Sequence, residues 1–101
     1  LCLAGQIPSK LIGKGIGQLH ELSDQPGAVA SVTKWRGRAE SPAAAPETIG
    51  EAFKQLSTGR TQPVLVEMAP DIMVQEEEVP VKFLLGIMCS LVYSGCITVF
   101  Q

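Results

Sequence analysis

An α/β fold with a parallel sheet is predicted by three observations. Short apolar runs recur at residues 1–4, 28–33 and 63–68. Between the last two lies a stretch with helical periodicity, and glycine or proline punctuation separates the segments. Strands that alternate with helices in this way imply βαβ units, whose crossovers place helices over the sheet faces.

The elements follow in order. Leu1, Cys2, Leu3 and Ala4 carry no polar side chain, as expected of a strand end buried on both faces of a parallel sheet. Gly5 and Gln6 then fall just beyond its carboxyl end, where open α/β sheets bind their ligands. Residues 18–25 are polar with room for a short helix, and Pro26-Gly27 reads as a turn. Residues 28–33, rich in small and β-branched side chains, read as a second strand that ends in the charged Lys34-Trp35-Arg36. Pro46 suits the first turn of a helix and Glu47 its positive end. Ile49, Ala52, Phe53 and Leu56 form one apolar stripe, opposite Glu51, Lys54 and Gln55. Thr58-Gly59-Arg60 ends this helix, and Arg60 is expected to serve its C-terminus. Pro63 to Met68 is continuous and apolar enough for a central parallel strand, and Ala69-Pro70-Asp71 stops it.

Composition bounds the function. The chain has 101 residues, 8 basic and 10 acidic, for a net charge of -2. That balance lacks the electrostatic footprint of a nucleic-acid binder. Cys2, Cys89 and Cys96 form neither an even set nor a C-x-x-C pair, and His20 is the sole histidine. A disulfide scaffold or zinc site is disfavoured, and a reducing cytoplasm fits. No secretory signal is visible in the short opening run. Leu1 is not an initiator Met, and three strands are too few for a complete doubly wound domain. The expectation is the second half of such a domain, within a longer protein.

Past Asp71 the character changes. Gln75 to Glu78 is an acidic run, and residues 83–101 carry no charge. About 19 residues at roughly 1.5 Å each would reach about 28 Å as a helix, close to a bilayer's hydrocarbon core. Two glycines, two serines and Lys82 as lone basic anchor dilute that signal. The organisation expected is residues 1–74 as a partial domain, 75–82 as an acidic linker, and 83–101 as an apolar tail. The tail reads either as intron or out-of-frame translation or as the span of a small membrane-anchored binding protein.

Gly13-Lys14-Gly15-Ile16-Gly17 suggests a nucleotide loop but fails on spacing. A dinucleotide fingerprint needs glycine where Gln18 stands, and a P-loop needs Ser or Thr where Gly15 stands. A loop with unusual backbone angles is the better reading. Gln6 caps its strand, faces water, or turns its amide to a ligand, and its place beside Gly5 at a strand end favours the last. His20-Glu21 could be an acid/base pair, but helical neighbours diverge by about 100°, which favours a lone surface histidine. Lys34, Arg36 and Arg38 around Trp35 fit an anion site or a solvated strand edge equally well.

The ordered set Gly5-Gln6-Ile7, Ile12-Gly13, His20-Glu21, Val32-Thr33-Lys34-Trp35, Ala52-Phe53, Thr58-Gly59-Arg60, Pro63 to Glu67 and Pro70-Asp71 resembles the thiamine diphosphate-dependent acetolactate synthase and 2-keto acid decarboxylase group. The likeness covers about residues 1–80 and falls in the latter half of the N-terminal, pyrimidine-binding domain. It implies a flavodoxin-like three-layer fold and a parent enzyme that acts on 2-keto acids by decarboxylation or acetolactate-type carboligation. It further implies a homodimer or homotetramer, with thiamine diphosphate and a divalent metal, usually magnesium, held between subunits. In such enzymes the cofactor carries the hard chemistry while the protein bends it, excludes water and positions substrate. Gly5 and Gln6 match the family's Gly-Gln near the reacting carbon. His20 falls near the decarboxylases' His-His pair, with Leu19 in place of the first histidine. The Gly13 to Gly17 loop corresponds to a segment near the site and the subunit interface. The activating glutamate and the Gly-Asp-Gly diphosphate and metal motif are not in this sequence, so no metal ligand is assigned and the piece alone is expected to be inactive.

Overall fold

The computed structural model describes residues 1–79, so the apolar tail and its membrane reading lie outside the described residues. Three parallel strands make one sheet: β1 (Cys2–Gly5), β2 (Trp35–Ala39) and β3 (Val64–Met68), in the spatial order β1-β3-β2. Helices α1 (Gln25–Ala28), α2 (Ala45–Ser57) and α3 (Pro70–Met73) intervene or follow, with a 3-10 turn at Ser9–Leu11. The fold class predicted from the sequence is therefore observed: an α/β arrangement with a three-stranded parallel sheet and flanking helices.

The last strand enters between the first two. Register runs from Cys2 opposite Leu65 to Gly5 opposite Met68, and from Trp35 opposite Val64 to Ala39 opposite Met68. The carboxyl ends of all three strands thus share one rim. Alternation along β3 divides its side chains between the two sheet faces. Val64 and Val66 pack with Ala52 of α2 into the core, flanked by Leu1, Trp35, Ile49 and Leu56. Leu65 and Glu67 take the opposite face, where both are buried.

α2 forms as its sequence dictates. Pro46 lies in the first turn with Glu47, and the stripe buries Ala52 and Phe53 while leaving Lys54 exposed beside Glu51. Its C-terminal carbonyls meet a cation, but not the expected one. Lys34 Nζ donates to Gln55 O at 2.8 Å, to Thr58 O, and to Arg60 O at 3.3 Å. An ammonium with three rotatable donors suits three converging carbonyls, and Lys34 assumes the role assigned to Arg60.

The second strand begins later than expected. Residues 28–33 are not extended: Ala30 N bonds Gly27 O, Val32 N bonds Val29 O, and Thr33 Oγ1 donates to Val29 O at 2.7 Å. The start signal ahead of them decides this. Asp24 Oδ1 accepts from Gly27 N at 2.8 Å, and Pro26 lies in the first turn of α1, so Pro26-Gly27 begins a helix rather than closing one. Of the residues 18–25 expected to hold a short helix, Gln18 to Glu21 form a turn and only Gln25 is helical, as the first residue of α1. Trp35 and Arg36, read with Lys34 as a strand's charged end, instead open the strand itself, which runs from Trp35 to Ala39. Arg36 and Arg38 point to one face while Trp35, Gly37 and Ala39 point to the other. The Trp35 indole lies over Gly37, where a Cβ would stand 2.2 Å from the ring.

β1 also differs from expectation. Among the described residues it has one neighbour, β3, and Cys2 and Leu3 are exposed rather than buried on both faces. No helix among the described residues is long and apolar enough to cross a membrane.

Candidate functional site

Gln6 follows the last residue of β1 and is 9% exposed. Its Oε1 accepts from the backbone N–H of Ile7 at 2.9 Å. This local bond fixes the amide plane and leaves Nε2 to donate elsewhere. Ile7 is buried beside it and anchors the turn. The site is thus seated by an apolar residue and oriented by a backbone hydrogen bond.

The chain returns to this point through α1. Gln25 Nε2 donates to Gly5 O at 2.9 Å, across twenty residues of sequence. Gly5, Gln6, His20 and Gln25 together line a hollow of about 280 Å³. Three of the residues singled out from sequence, Gly5, Gln6 and His20, therefore share one space at the carboxyl rim, where α/β ligands bind. Gln25 joins them unforeseen. The signal available in the sequence was the helix start at Asp24-x-Pro26, which projects the side chain between them towards the preceding loop.

His20 reaches the hollow in the left-handed region, at φ +68°, an uncommon conformation for a residue with a side chain. Gly13, Gly15 and Gly17 have φ between +62° and +79°, which explains the loop's composition better than a phosphate cradle does. His20 and Glu21 share no hydrogen bond among the described residues: Glu21 Oε2 accepts from Gln18 N at 2.8 Å and closes the local turn.

The cations around Trp35 do not converge. Lys34 holds the end of α2, and Arg36 Nη1 donates to Ala30 O and Thr33 O, each at 3.3 Å. Arg38 Nε donates to Glu67 Oε1, a carboxylate wholly buried on β3. An anion site shared by the three is therefore not formed. Glu67 was missed as a special residue, although an acid within an apolar central strand signals a buried charge that needs a partner.

A second tie crosses the rim. Asp71, at the start of α3, accepts from Ser9 N at 2.8 Å and from Ser9 Oγ at 2.5 Å. These two bonds, the hydroxyl's first, hold the Asp71 carboxyl below its ordinary range. The loops that leave β1 and β3 are thereby clasped together. Among the described residues no three His, Cys, Asp or Glu side chains are grouped to hold a metal ion.

Comparison with known proteins gives the family context. The chain is 35% identical over 82 residues to the probable acetolactate synthase large subunit of Methanocaldococcus jannaschii, covering 81% of this chain and 13% of that protein. It is 35% identical over 65 residues to the probable 2-ketoarginine decarboxylase AruI of Pseudomonas aeruginosa, covering 64% of this chain and 12% of that protein. The mitochondrial acetolactate synthase of Schizosaccharomyces pombe is 32% identical over 80 residues, covering 77% and 12%. These proteins are homologues of the chain. The chain spans about one eighth of the length of these relatives. No family model matches it, and no solved structure matches it.

Proposed function

We propose that this chain is part of a thiamine diphosphate-dependent enzyme that acts on 2-keto acids, with residues 1–74 forming the latter half of its pyrimidine-binding domain. The observation that carries the reading is the placement of Gln6: buried, fixed by Ile7 N, and lining a hollow at a parallel-sheet rim with His20 and Gln25. When bound, thiamine diphosphate would supply the nucleophilic carbon that attacks the keto group. Gly5 and Gln6 would line its reacting edge, with Gln6 Nε2 as donor to cofactor or substrate. Gln25 would hold the Gly5 carbonyl and keep the strand end in place. His20 would stand at the mouth of the hollow.

The described residues fit this group in part only. They offer a polar, walled rim of about 280 Å³ but no carboxylate in it and no diphosphate or metal site. The reading therefore assigns the activating glutamate, the magnesium ion and half of the cofactor's contacts to other segments of a longer protein, assembled as a homodimer or homotetramer in the cytoplasm. The coding sequence on either side decides the matter. The expected finding is an upstream strand ending in glutamate and a downstream Gly-Asp-Gly followed by Asn. A continuous transcript with stop codons on both sides and neither motif would contradict it.

A further inference from the structure

The chain that leaves β3 is tied to the loops after both neighbouring strands. Asp71, just past the strand, takes two hydrogen bonds from Ser9 in the loop after β1. Further on, Glu77 Oε2 accepts from Ala43 N at 3.0 Å, in the loop between β2 and α2. Because β3 is the middle strand and the three carboxyl ends share one rim, residues 71–77 cross that rim from one flank to the other.

The two ties differ in strength. At the Asp71 end both carboxylate oxygens are engaged, and Ile72 is the one buried side chain of α3. Gln75 then closes the short helix, its N–H on Ile72 O and its Nε2 on Asp71 O. From Met73 to Glu78 every residue is exposed, so burial does not hold the far end. Among the described residues, the bond between Glu77 and Ala43 is the only hydrogen bond that ties residues 74–78 to a part of the fold outside α3.

A negative charge suits that place. Ala43 lies beside the start of α2, whose N-cap, Ala44, offers no side-chain cap, and a carboxylate is favoured at that end of a helix. Glu76 and Glu78 flank Glu77 but make no hydrogen bond among the described residues, so position singles out one acid of the run.

We propose that residues 71–77 form a strap over the carboxyl rim, hinged at Asp71 and latched at Glu77, and that it opens from the Glu77 end. Closed, it links the loops that follow all three strands and sets Glu77 beside the start of α2. Open, it frees the loop after β2, while the loops after β1 and β3 stay clasped through Asp71 and Ser9. The device needs no ligand and does not rest on the cofactor reading.

Amide hydrogen exchange in the full 101-residue chain tests this. Glu77→Gln, a change at an exposed side chain, keeps an acceptor oxygen but removes the charge that strengthens the bond. It is expected to speed exchange of the Ala43 amide about tenfold, with the Ser9 amide and those of Val64 to Met68 as in wild type. Glu76→Gln and Glu78→Gln remove the same charge from the neighbouring positions and are expected to leave Ala43 unchanged. Asp71→Asn is expected to speed both Ser9 and Ala43, because the hinge carries the latch. An Ala43 amide indifferent to Glu77→Gln, an equal response to Glu76→Gln or Glu78→Gln, or a Ser9 amide released together with Ala43 by Glu77→Gln would overturn the proposal. So would loss of protection along β3 in that variant, which would make Glu77 a support of the whole fold.

Discussion

Glu67 shows how much one side chain can demand of its surroundings. It is fully buried in the middle strand, Arg38 is its ion-pair partner, and its Oε2 has no partner among the described residues. Removing the cation leaves a charge in low dielectric, a loss of about 3–5 kcal/mol for fully enclosed pairs. Arg38 is 36% exposed, so solvent reduces this, and Arg38→Ala is expected to cost about 2 kcal/mol in urea unfolding. The paired change Arg38→Met with Glu67→Leu is expected to recover most of that loss, because it removes both charges and keeps volume. Asp71 makes a different prediction. Its carboxyl lies below the ordinary value of 3.8 in the folded chain, so the fold gains stability from it above that pH and loses the gain as pH falls through the lowered value. Asp71→Asn should therefore flatten the part of acid unfolding that begins near pH 3.8, while Glu51, also lowered by Gln55 and Lys54, keeps its own share. A stability curve for the variant that still falls as steeply as wild type would remove Asp71 from the clasp.

Among the elements, those with a complete local code were legible. α2 carries its proline, its acid, its stripe and its terminal glycine in sequence, and the structure places all four as read. β3 is equally plain, since a short run that is apolar but for Glu67 and bounded by prolines has few alternatives. The region from Ala28 to Thr33 was misread because β-branched residues are only a weak preference for extended chain, whereas Asp24 and Pro26 supply a capped helix start. Asp24→Ala is accordingly expected to cost about 1 kcal/mol. Lys34 could not be read as a cap, because its three carbonyl partners lie more than twenty residues away and meet it only once β2 and β3 pair. Lys34→Met is expected to cost about 1 kcal/mol and to speed amide hydrogen exchange in the last turn of α2, with the rest of that helix unchanged. Gly37→Ala would drive a methyl group into the Trp35 indole 2.2 Å away, and a loss of about 1–3 kcal/mol is expected in the same unfolding assay.

At the scale of the molecule, the sequence revealed the fold class and the rim but not the strand order. Nothing local to β3 says that it enters between β1 and β2; that order is a matter of long-range pairing with both strands and of the packing of α2. The same order creates the site. It aligns three carboxyl ends and brings Gln25 back to Gly5, so that Gln6 and His20, fourteen positions apart, border one hollow. Gln6 was legible because a strand end is a local feature, and Gln25 was not because its partner is set by tertiary return. The proposed role of this rim is to serve a 2-keto acid enzyme through Gln6. Its most direct test is 2-keto acid turnover by the whole protein encoded around this chain, with and without thiamine diphosphate, in wild type and Gln6→Ala. Turnover is expected to require thiamine diphosphate, with a kcat/KM about a hundredfold lower in the variant, roughly 3 kcal/mol of lost transition-state stabilisation. Turnover without thiamine diphosphate, or a Gln6→Ala enzyme as fast as wild type, would contradict it.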